Sequence, residues 1–359
     1  MNLTDIAHIR LISHQIDGSR IKTAKEMVVW MGAMQAQDYA MAKWAIGIRL
    51  AGSTDRDIET AINNGEIIRT HLLRPTWHFV SADDIYWMLS LTAPKIKVAM
   101  NSRQKQLGLT GAIFNKSNTI MENALSGGKH LTREELLAEL GQAKIALDEN
   151  RASHLLARAE LDGILCSGAT KGGKQTYALL AERVQKLESF TKEESLAKLA
   201  KKYFTSHCPA TLQDFTWWSG LSAGLARNAL EMIRSDFVSE TINSQIYWFP
   251  NSFSTPKVDK DLVHLLPAFD EFVISYTDRS AVVPHGESTK LISNNGIFRP
   301  VVEVNGQAIG IWKRVIKKDT VIVETDFFKP PDQTTRILIE KATLDYCRFL
   351  EKKPELNLQ

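Results

Sequence analysis

Three copies of one local pattern constrain the fold of this chain more than any other feature. In each copy a threonine is followed three residues later by a glutamate, and then by a run with helical apolar spacing. The threonine hydroxyl can accept a bond from a backbone N–H of the first helical turn, and the glutamate can bond back to the threonine N–H. Each copy therefore predicts a helix start. The three pairs are Thr23 with Glu26, Thr132 with Glu135, and Thr191 with Glu194.

Each of these helix starts lies within a series of helices that ends in two short strands. The first series predicts helices over 4–15, 23–36 and 58–63, closed by Gly65, and strands over 67–71 and 76–80. The second predicts helices over 82–105, 113–125, 132–140 and 152–161, and strands over 164–166 and 175–179. The third predicts helices over 191–204, 212–218 and 223–233, and strands over 237–241 and 245–249. One architectural unit is thus repeated three times.

Helices followed by a β-hairpin are typical of the winged helix-turn-helix. In that motif one helix enters the major groove of DNA and the hairpin touches flanking phosphates. The same order also occurs in other α+β proteins, so pattern alone leaves both interpretations open. The predicted fold class is α+β, with tandem winged helix-turn-helix units.

Strands dominate the sequence after Pro256. Asn305-Gly306, a strong hairpin signal, separates apolar runs over 301–304 and 307–314; another strand is predicted over 320–324 and a helix over 334–349. These elements predict a small C-terminal β-barrel. The predicted domains are 1–81, 82–186, 187–255 and 256–359, which suits a chain of 359 residues.

The composition favours an intracellular protein without a metal. Cysteines occur only at 166, 208 and 347, and their spacing predicts neither a disulfide framework nor a zinc site. The first residues lack a signal-peptide pattern, and no apolar stretch is long enough to span a bilayer, so the cytoplasm is the expected location. The net charge of +3 permits nucleic-acid binding but does not by itself argue for it.

Gln35 and Gln37 lie at the predicted end of an apolar helix. Two residues apart on a helix, they would point to nearly opposite sides, so they can share a site only if the helix ends there. Asp38-Tyr39 is a plausible break. The plainer interpretation is a helix end capped by polar residues.

A glutamine amide limits the chemistry that such a pair can perform. The group does not titrate near neutrality, but its carbonyl accepts hydrogen bonds and its NH2 donates them. It can hold a water in line and stabilise developing positive charge. Such weak catalysis suits an easily lost leaving group, such as an alkylated, cationic purine departing from deoxyribose through an oxocarbenium-like transition state.

Several segments together resemble the AlkZ/YcaQ-type winged-helix DNA glycosylase family. The resemblance spans nearly the whole chain in order. It rests on 31–40 (Met-Gly-Ala-Met-Gln-Ala-Gln-Asp-Tyr-Ala), 69–78 (Arg-Thr-His-Leu-Leu-Arg-Pro-Thr-Trp-His), 267–272 with 276–279, and 298–300 through 312–314.

The resemblance implies three tandem winged helices and a C-terminal β-barrel around a DNA channel. It implies a DNA glycosylase that releases alkylated purines and unhooks interstrand crosslinks, with Gln35 and Gln37 positioning the water. The implied partner is damaged double-stranded DNA. The protein is expected to act as a monomer, to need no cofactor, and to lie in the cytoplasm in association with the nucleoid. The alternative is a noncatalytic, DNA-binding or regulatory protein on the same scaffold.

Two groups of basic residues are candidate DNA contacts. Arg69, His71, Arg74 and His78 lie on or beside the first hairpin, where a polar strand face is an equal alternative. Lys171 and Lys174 lie in a glycine-rich hairpin tip and could meet phosphates. The tip partly matches a nucleotide-binding loop, but Gln175 replaces the required hydroxyl and no parallel β-α unit surrounds it.

Other chemistry-bearing residues have plainer interpretations. Asp270 and Glu271 are expected to face opposite ways on a strand, with a structural role such as pairing with Arg279. Trp217-Trp218 is expected in the core rather than in a base-stacking surface. His207-Cys208 has no companion residues for a metal.

Overall fold

The computed structural model describes residues 1–148, 150–186, 189–253 and 262–358. Helices and strands both contribute throughout, which confirms the α+β class. Of the predicted domain boundaries, 186/187 lies at the edge of the described residues and 255/256 lies outside them. No described helix is long and apolar enough to cross a membrane.

The first series forms with one change. Its elements are α1 (Leu3–Ser13), α2 (Ala24–Met31), β1 (Met34–Gln35), α3 (Tyr39–Gly47), α4 (Asp55–Asn63), β2 (Ile67–Leu72) and β3 (Thr76–Ser81). The predicted helix over 23–36 is too long, because Gly32 adopts a φ of 78° and ends α2. A short strand and an unpredicted helix, α3, follow.

The second and third series match the predicted elements closely. The second contains α5 (Ile85–Gln106), α6 (Gly111–Leu125), β4 (Leu131–Thr132), α7 (Arg133–Gln142), α8 (Arg151–Leu161), β5 (Leu165–Ser167), β6 (Thr176–Leu179) and α9 (Leu180–Arg183). The third contains α10 (Lys192–Ser206), α11 (Leu212–Ser219), α12 (Ala223–Ile233), a 3-10 turn (Arg234–Asp236), β7 (Phe237–Ile242) and β8 (Gln245–Pro250). All three predicted threonine–glutamate capping boxes are present.

The C-terminal section is one sheet with a long helix against it. Its elements are β9 (Val263–Leu266), α13 (Glu271–Ile274), α14 (Ser288–Leu291), β10 (Val301–Val304), β11 (Gln307–Ile316), β12 (Thr320–Phe327), α15 (Gln333–Phe349) and β13 (Lys353–Leu358). The sheet order is β13-β12-β11-β10-β9, and its two edge strands do not pair with one another among the described residues. The expected barrel is therefore an open, curled half-barrel.

The first series and the C-terminal section share one hydrophobic core. Trp44 of α3 packs against Tyr346 and Phe349 of α15, with ring centroids 5.0 Å apart in both pairs. Gly47 lies so close to the Phe349 ring that a Cβ at that position would overlap it. A second core joins the first hairpin to α5, α10 and α11. The short strand β1 is thereby held between distant parts of the chain.

Candidate active site

Gln35 lies on a strand rather than on a helix end. β1 pairs antiparallel with β3, which places Gln35 opposite His78, and the Ala36 N–H continues the pairing to the Trp77 carbonyl at 2.8 Å. Asp38 caps the next helix by accepting from the Met41 N–H. The helical-spacing objection to a shared site therefore does not apply, since α2 ends before Gln35, which lies on β1, and Gln37 lies in the bend that follows.

The two glutamines differ in exposure. Gln35 is buried, and its Oε1 accepts from the Thr76 hydroxyl at 3.2 Å. Gln37 is exposed, and its side chain has no hydrogen-bond partner among the residues that the structure describes. A carbonyl oxygen carries two lone pairs, so Gln35 Oε1 keeps one acceptor position beyond Thr76. One amide is thus fixed in the protein and the other faces solvent.

Three groups fix the backbone around the two glutamines. The Glu271 carboxylate accepts from the Gln35 N–H at 2.6 Å. The Arg69 guanidinium donates to the carbonyls of Ala36 at 2.9 Å and Gln37 at 3.4 Å. Together with the Ala36–Trp77 bond, these contacts fix the segment on both sides. Arg69, predicted to contact DNA, here orients the glutamine segment.

Glu271 is the site residue that sequence reasoning missed. It is the first residue of α13, and its Oε2 accepts from Trp218 Nε1 at 3.2 Å and from the Ser275 hydroxyl. Burial favours the neutral acid, but His207 and the donors around the carboxylate outweigh it and lower the pKa of Glu271 to about 2. A permanent negative charge therefore lies directly behind Gln35.

The expected pairing of the 270–271 carboxylates with Arg279 is wrong. Asp270 forms a bidentate ion pair with Arg49, at 2.9 and 2.8 Å. Arg279 instead donates to the backbone carbonyls of Val273 and Thr277. Adjacent carboxylates do point apart, but from the start of a short helix rather than from a strand. Only the 267–272 family match could have signalled their importance.

His78 is a buried neighbour of Gln35. Its Nδ1 lies 2.9 Å from the Thr76 carbonyl, and its Nε2 has no partner among the described residues. Burial lowers the pKa of His78 to about 3, and the charge of Arg74 adds to this. The ring is therefore neutral, donates through Nδ1 and leaves Nε2 as an unused acceptor. It carries no charge that could attract a phosphate.

His71 faces away from Gln35. It bonds through its backbone N–H, at 3.0 Å, and through Nδ1 to the buried carboxylate of Glu160. Its ring also contacts Trp77, with centroids 4.8 Å apart. The predicted shared faces are present, with Arg69 and His71 on one side of the hairpin and Thr76 and His78 on the other.

Arg74 lies at the turn between β2 and β3. Its guanidinium lies 5.4 Å from the ring of Trp217. Burial lowers the pKa of Arg74, and the nearby carboxylate of Glu271 opposes that change. The arginine therefore remains charged beside the Gln35 segment.

The two lysines of the second hairpin lie apart from the glutamines. Lys171 pairs with Glu135 at 2.5 Å, and Lys174 lies 3.9 Å from Glu134. Both lysines are more than half exposed. The hairpin joins antiparallel strands, so the partial nucleotide-loop match has no matching structure around it. Its link to the site is Gln175, which accepts from Arg69 at 2.5 Å.

The described residues contain no group of three histidine, cysteine, aspartate or glutamate side chains arranged to hold a metal ion. All three cysteines are buried and free. Burial raises the pKa of both the Cys166 and Cys208 thiols to about 12, so neither is a ready nucleophile. The groups around the Gln35 segment are amides, the Glu271 carboxylate, the His78 imidazole and the guanidiniums of Arg69 and Arg74.

The sequence model of the DNA glycosylase AlkZ-like family matches residues 28–349, so the chain belongs to this family. Members of this family are DNA glycosylases, which are hydrolases. The match confirms the family resemblance and the prediction of an enzyme. The chain is 23% identical over 321 residues to the Interstrand DNA cross-link repair glycosylase of Streptomyces sahachiroi, covering 85% of each protein. The solved structure of Streptomyces sahachiroi DNA glycosylase AlkZ shares its fold, with a TM-score of 0.82 and 18% identity over the full length of both chains.

Proposed function

We propose that this protein hydrolyses the N-glycosidic bond of N7- or N3-alkylated purines in double-stranded DNA, including purines in interstrand crosslinks. Gln35 and Gln37 position the attacking water. The observation that carries the proposal is the Gln-x-Gln segment, which runs from β1 into a bend and is held by Glu271 and Arg69. A relative that acts on interstrand crosslinks supports this substrate class.

The reaction requires little from the protein beyond positioning. An N7-alkylated purine is cationic, so the C1′–N9 bond breaks with its electron pair going to the base, which leaves neutral. The sugar becomes oxocarbenium-like, water adds at C1′, and its proton passes to solvent. The free acceptor position of Gln35 Oε1 can hold that water, and the exposed amide of Gln37 can orient it or face the sugar.

The fixed backbone makes this arrangement effective. Dipoles that are already oriented do not have to reorganise when positive charge develops, and buried dipoles act more strongly than in water. The carboxylate of Glu271 adds a negative charge behind Gln35, which favours a cationic transition state in front of it. We assign Glu271 a positioning role, because Gln35 stands between it and any substrate.

We also propose that the three helix–hairpin series are tandem winged helices and that DNA lies against them and the half-barrel. The units are 1–81, 82–186 and 187–255, followed by 256–359. Within this scheme the protein acts as a monomer. Arg69, Arg74 and His78 border the Gln35 segment on the lesion side, and His71 contacts the DNA from the opposite face of the hairpin. Lys171 and Lys174 exchange their glutamate partners for phosphates.

The test uses the full chain and a duplex carrying one N7-alkylguanine, scored for abasic sites after single-turnover incubation. We expect release by the wild type and loss of release in Gln35→Ala and Gln37→Ala, with the unfolding midpoint and duplex affinity retained. Undiminished release in both variants would overturn the assignment of the glutamines. Sequence-specific duplex binding without release by the wild type would support the noncatalytic alternative.

A further inference from the structure

Trp217 is an exposed indole held in a fixed position. Its side chain is 42% exposed, whereas the adjacent Trp218 is fully buried. The Trp217 Nε1 donates to the carbonyl of Ile274 at 2.8 Å, which anchors one edge of the ring. Burial of both tryptophans was predicted, and for Trp217 that prediction is wrong. An anchored aromatic ring open to solvent is a surface on which a flat ligand can stack.

Two arginines flank this ring. The guanidinium carbons of Arg74 and Arg279 lie 5.4 and 5.9 Å from the Trp217 ring centre. Arg279 also lies 5.0 Å from the Phe298 ring and is oriented by bonds to the carbonyls of Val273 and Thr277. One terminal nitrogen of Arg74 has no hydrogen-bond partner among the described residues. The cluster combines a stacking face with two cations, a combination suited to a planar, anionic ligand.

The cluster is built on the same elements as the candidate active site. Arg74 lies at the turn that leads to Thr76, which bonds to Gln35. Helix α13 accepts the Gln35 N–H through Glu271 and the Trp217 N–H through Ile274. A ligand stacked on Trp217 would therefore lie beside the elements that hold Gln35.

We propose that Trp217, Arg74 and Arg279 bind one unstacked nucleotide of the DNA, next to the nucleotide that is cleaved. The base stacks on the indole and the two guanidiniums hold its phosphates. This inference rests on the proposed function for the identity of the polymer. A phosphodiester strand supplies one negative charge and one aromatic face per nucleotide, which matches the composition of the cluster.

The experiment measures binding of the full-length protein to two fluorescent duplexes that share one strand. One duplex is fully paired, and the other has a single unpaired nucleotide. Base–aromatic stacking predicts that Trp217→Ala weakens binding to the second duplex by about 5- to 150-fold, with little effect on the first. Trp217→Phe, which keeps an aromatic face, should retain most of the preference. Arg279→Gln should lower the slope of log affinity against log salt by about one.

Met232→Ala is the matched surface control, because Met232 is 46% exposed on α12 and takes no part in the cluster. Equal weakening of both duplexes by Trp217→Ala, or no weakening, would overturn the proposal. The binding readout does not depend on catalysis. A Trp217-dependent binding preference in a protein that releases no base would support the nucleotide site and refute the proposed reaction. Base release without a Trp217-dependent preference would support the reaction and refute the nucleotide site.

Discussion

Two three-stranded sheets in this protein have the same layout but different surroundings. In the order β1-β3-β2 and in the order β4-β6-β5, a two-residue strand adds to the second strand of a hairpin. Gln35 and its partner His78 in the first sheet correspond to Thr132 and its partner Thr176 in the second. In the second sheet Thr132 caps a helix directly, whereas in the first three residues separate Gln35 from α3.

The comparison of β1 with β4 shows which features make a short edge strand a candidate active site. The extra residues give the first sheet a loop that carries Gln37, and the C-terminal section supplies the Glu271 carboxylate that holds Gln35. The corresponding Thr132 instead bonds to Glu135 of its own helix start: the Thr132 N–H donates to the Glu135 carboxylate, and the Thr132 hydroxyl accepts from the Glu135 N–H. Sheet geometry alone therefore does not create the site, since the distant contacts supply its charge and its rigidity.

The largest expected effect comes from replacing each of the two corresponding residues, Gln35 and Thr132, with alanine. Gln35→Ala should lower single-turnover base release about 100-fold or more, in the range found when one oriented transition-state dipole is removed. Thr132→Ala should leave release unchanged and cost about 1 kcal/mol of stability, because it removes only a helix cap. Similar losses of release in both variants would contradict a special role for the first sheet.

The helices that follow the two short strands each carry a glycine near the C-terminal end. Gly47→Ala should destabilise the protein by about 1–3 kcal/mol, because the new methyl group would overlap Phe349. Gly141→Ala should stabilise by up to about 1 kcal/mol, since nothing lies within 4 Å and alanine favours a helix. Denaturant unfolding measures both, and equal effects would argue against tight packing of the first series on α15.

Neutralising the carboxylate behind Gln35 should have a smaller effect on release. Glu271→Gln keeps the shape but weakens the bond to the Gln35 N–H, so we expect kcat to fall about 10-fold with KM nearly unchanged. Glu303→Gln is the matched control, because Glu303 is a buried carboxylate of the half-barrel that bonds to His264 and Gly306. A rise in KM with kcat unchanged, or equal losses in both variants, would refute the positioning role.

The smallest effect concerns pH and the partner of Gln35. The pKa of His78 is about 3 in the folded protein, well below its ordinary 6.5. Between these values the unfolded chain binds a proton that the folded chain does not, so falling pH reduces the free energy of unfolding. His78→Thr, the residue of the second sheet, should reduce this slope by up to about 1.4 kcal/mol per pH unit. His285→Thr, at an exposed position, serves as control in urea unfolding between pH 6.5 and 4.

Local signals predicted most of the elements correctly. Capping boxes act over three residues, and hairpin turns over two to five, so their signals survive in the sequence whatever the tertiary context. The predicted helix over 23–36 is too long because Gly32 lies within the apolar run and adopts a positive φ that ends α2. Helix α3 was missed because it is buried on nearly all sides and has little amphipathic periodicity.

The sequence by itself determined the three helix–hairpin series, the family and the glutamine pair worth examining. Only the tertiary structure decided what holds that pair, because Gln35 and Glu271 are 236 residues apart. No short-range periodicity connects two such positions, so no local pattern could place the carboxylate at the Gln35 N–H. Packing of the C-terminal section against the first hairpin brings the carboxylate to the Gln35 N–H, buries His78 as a neutral ring and leaves Trp217 open between two arginines.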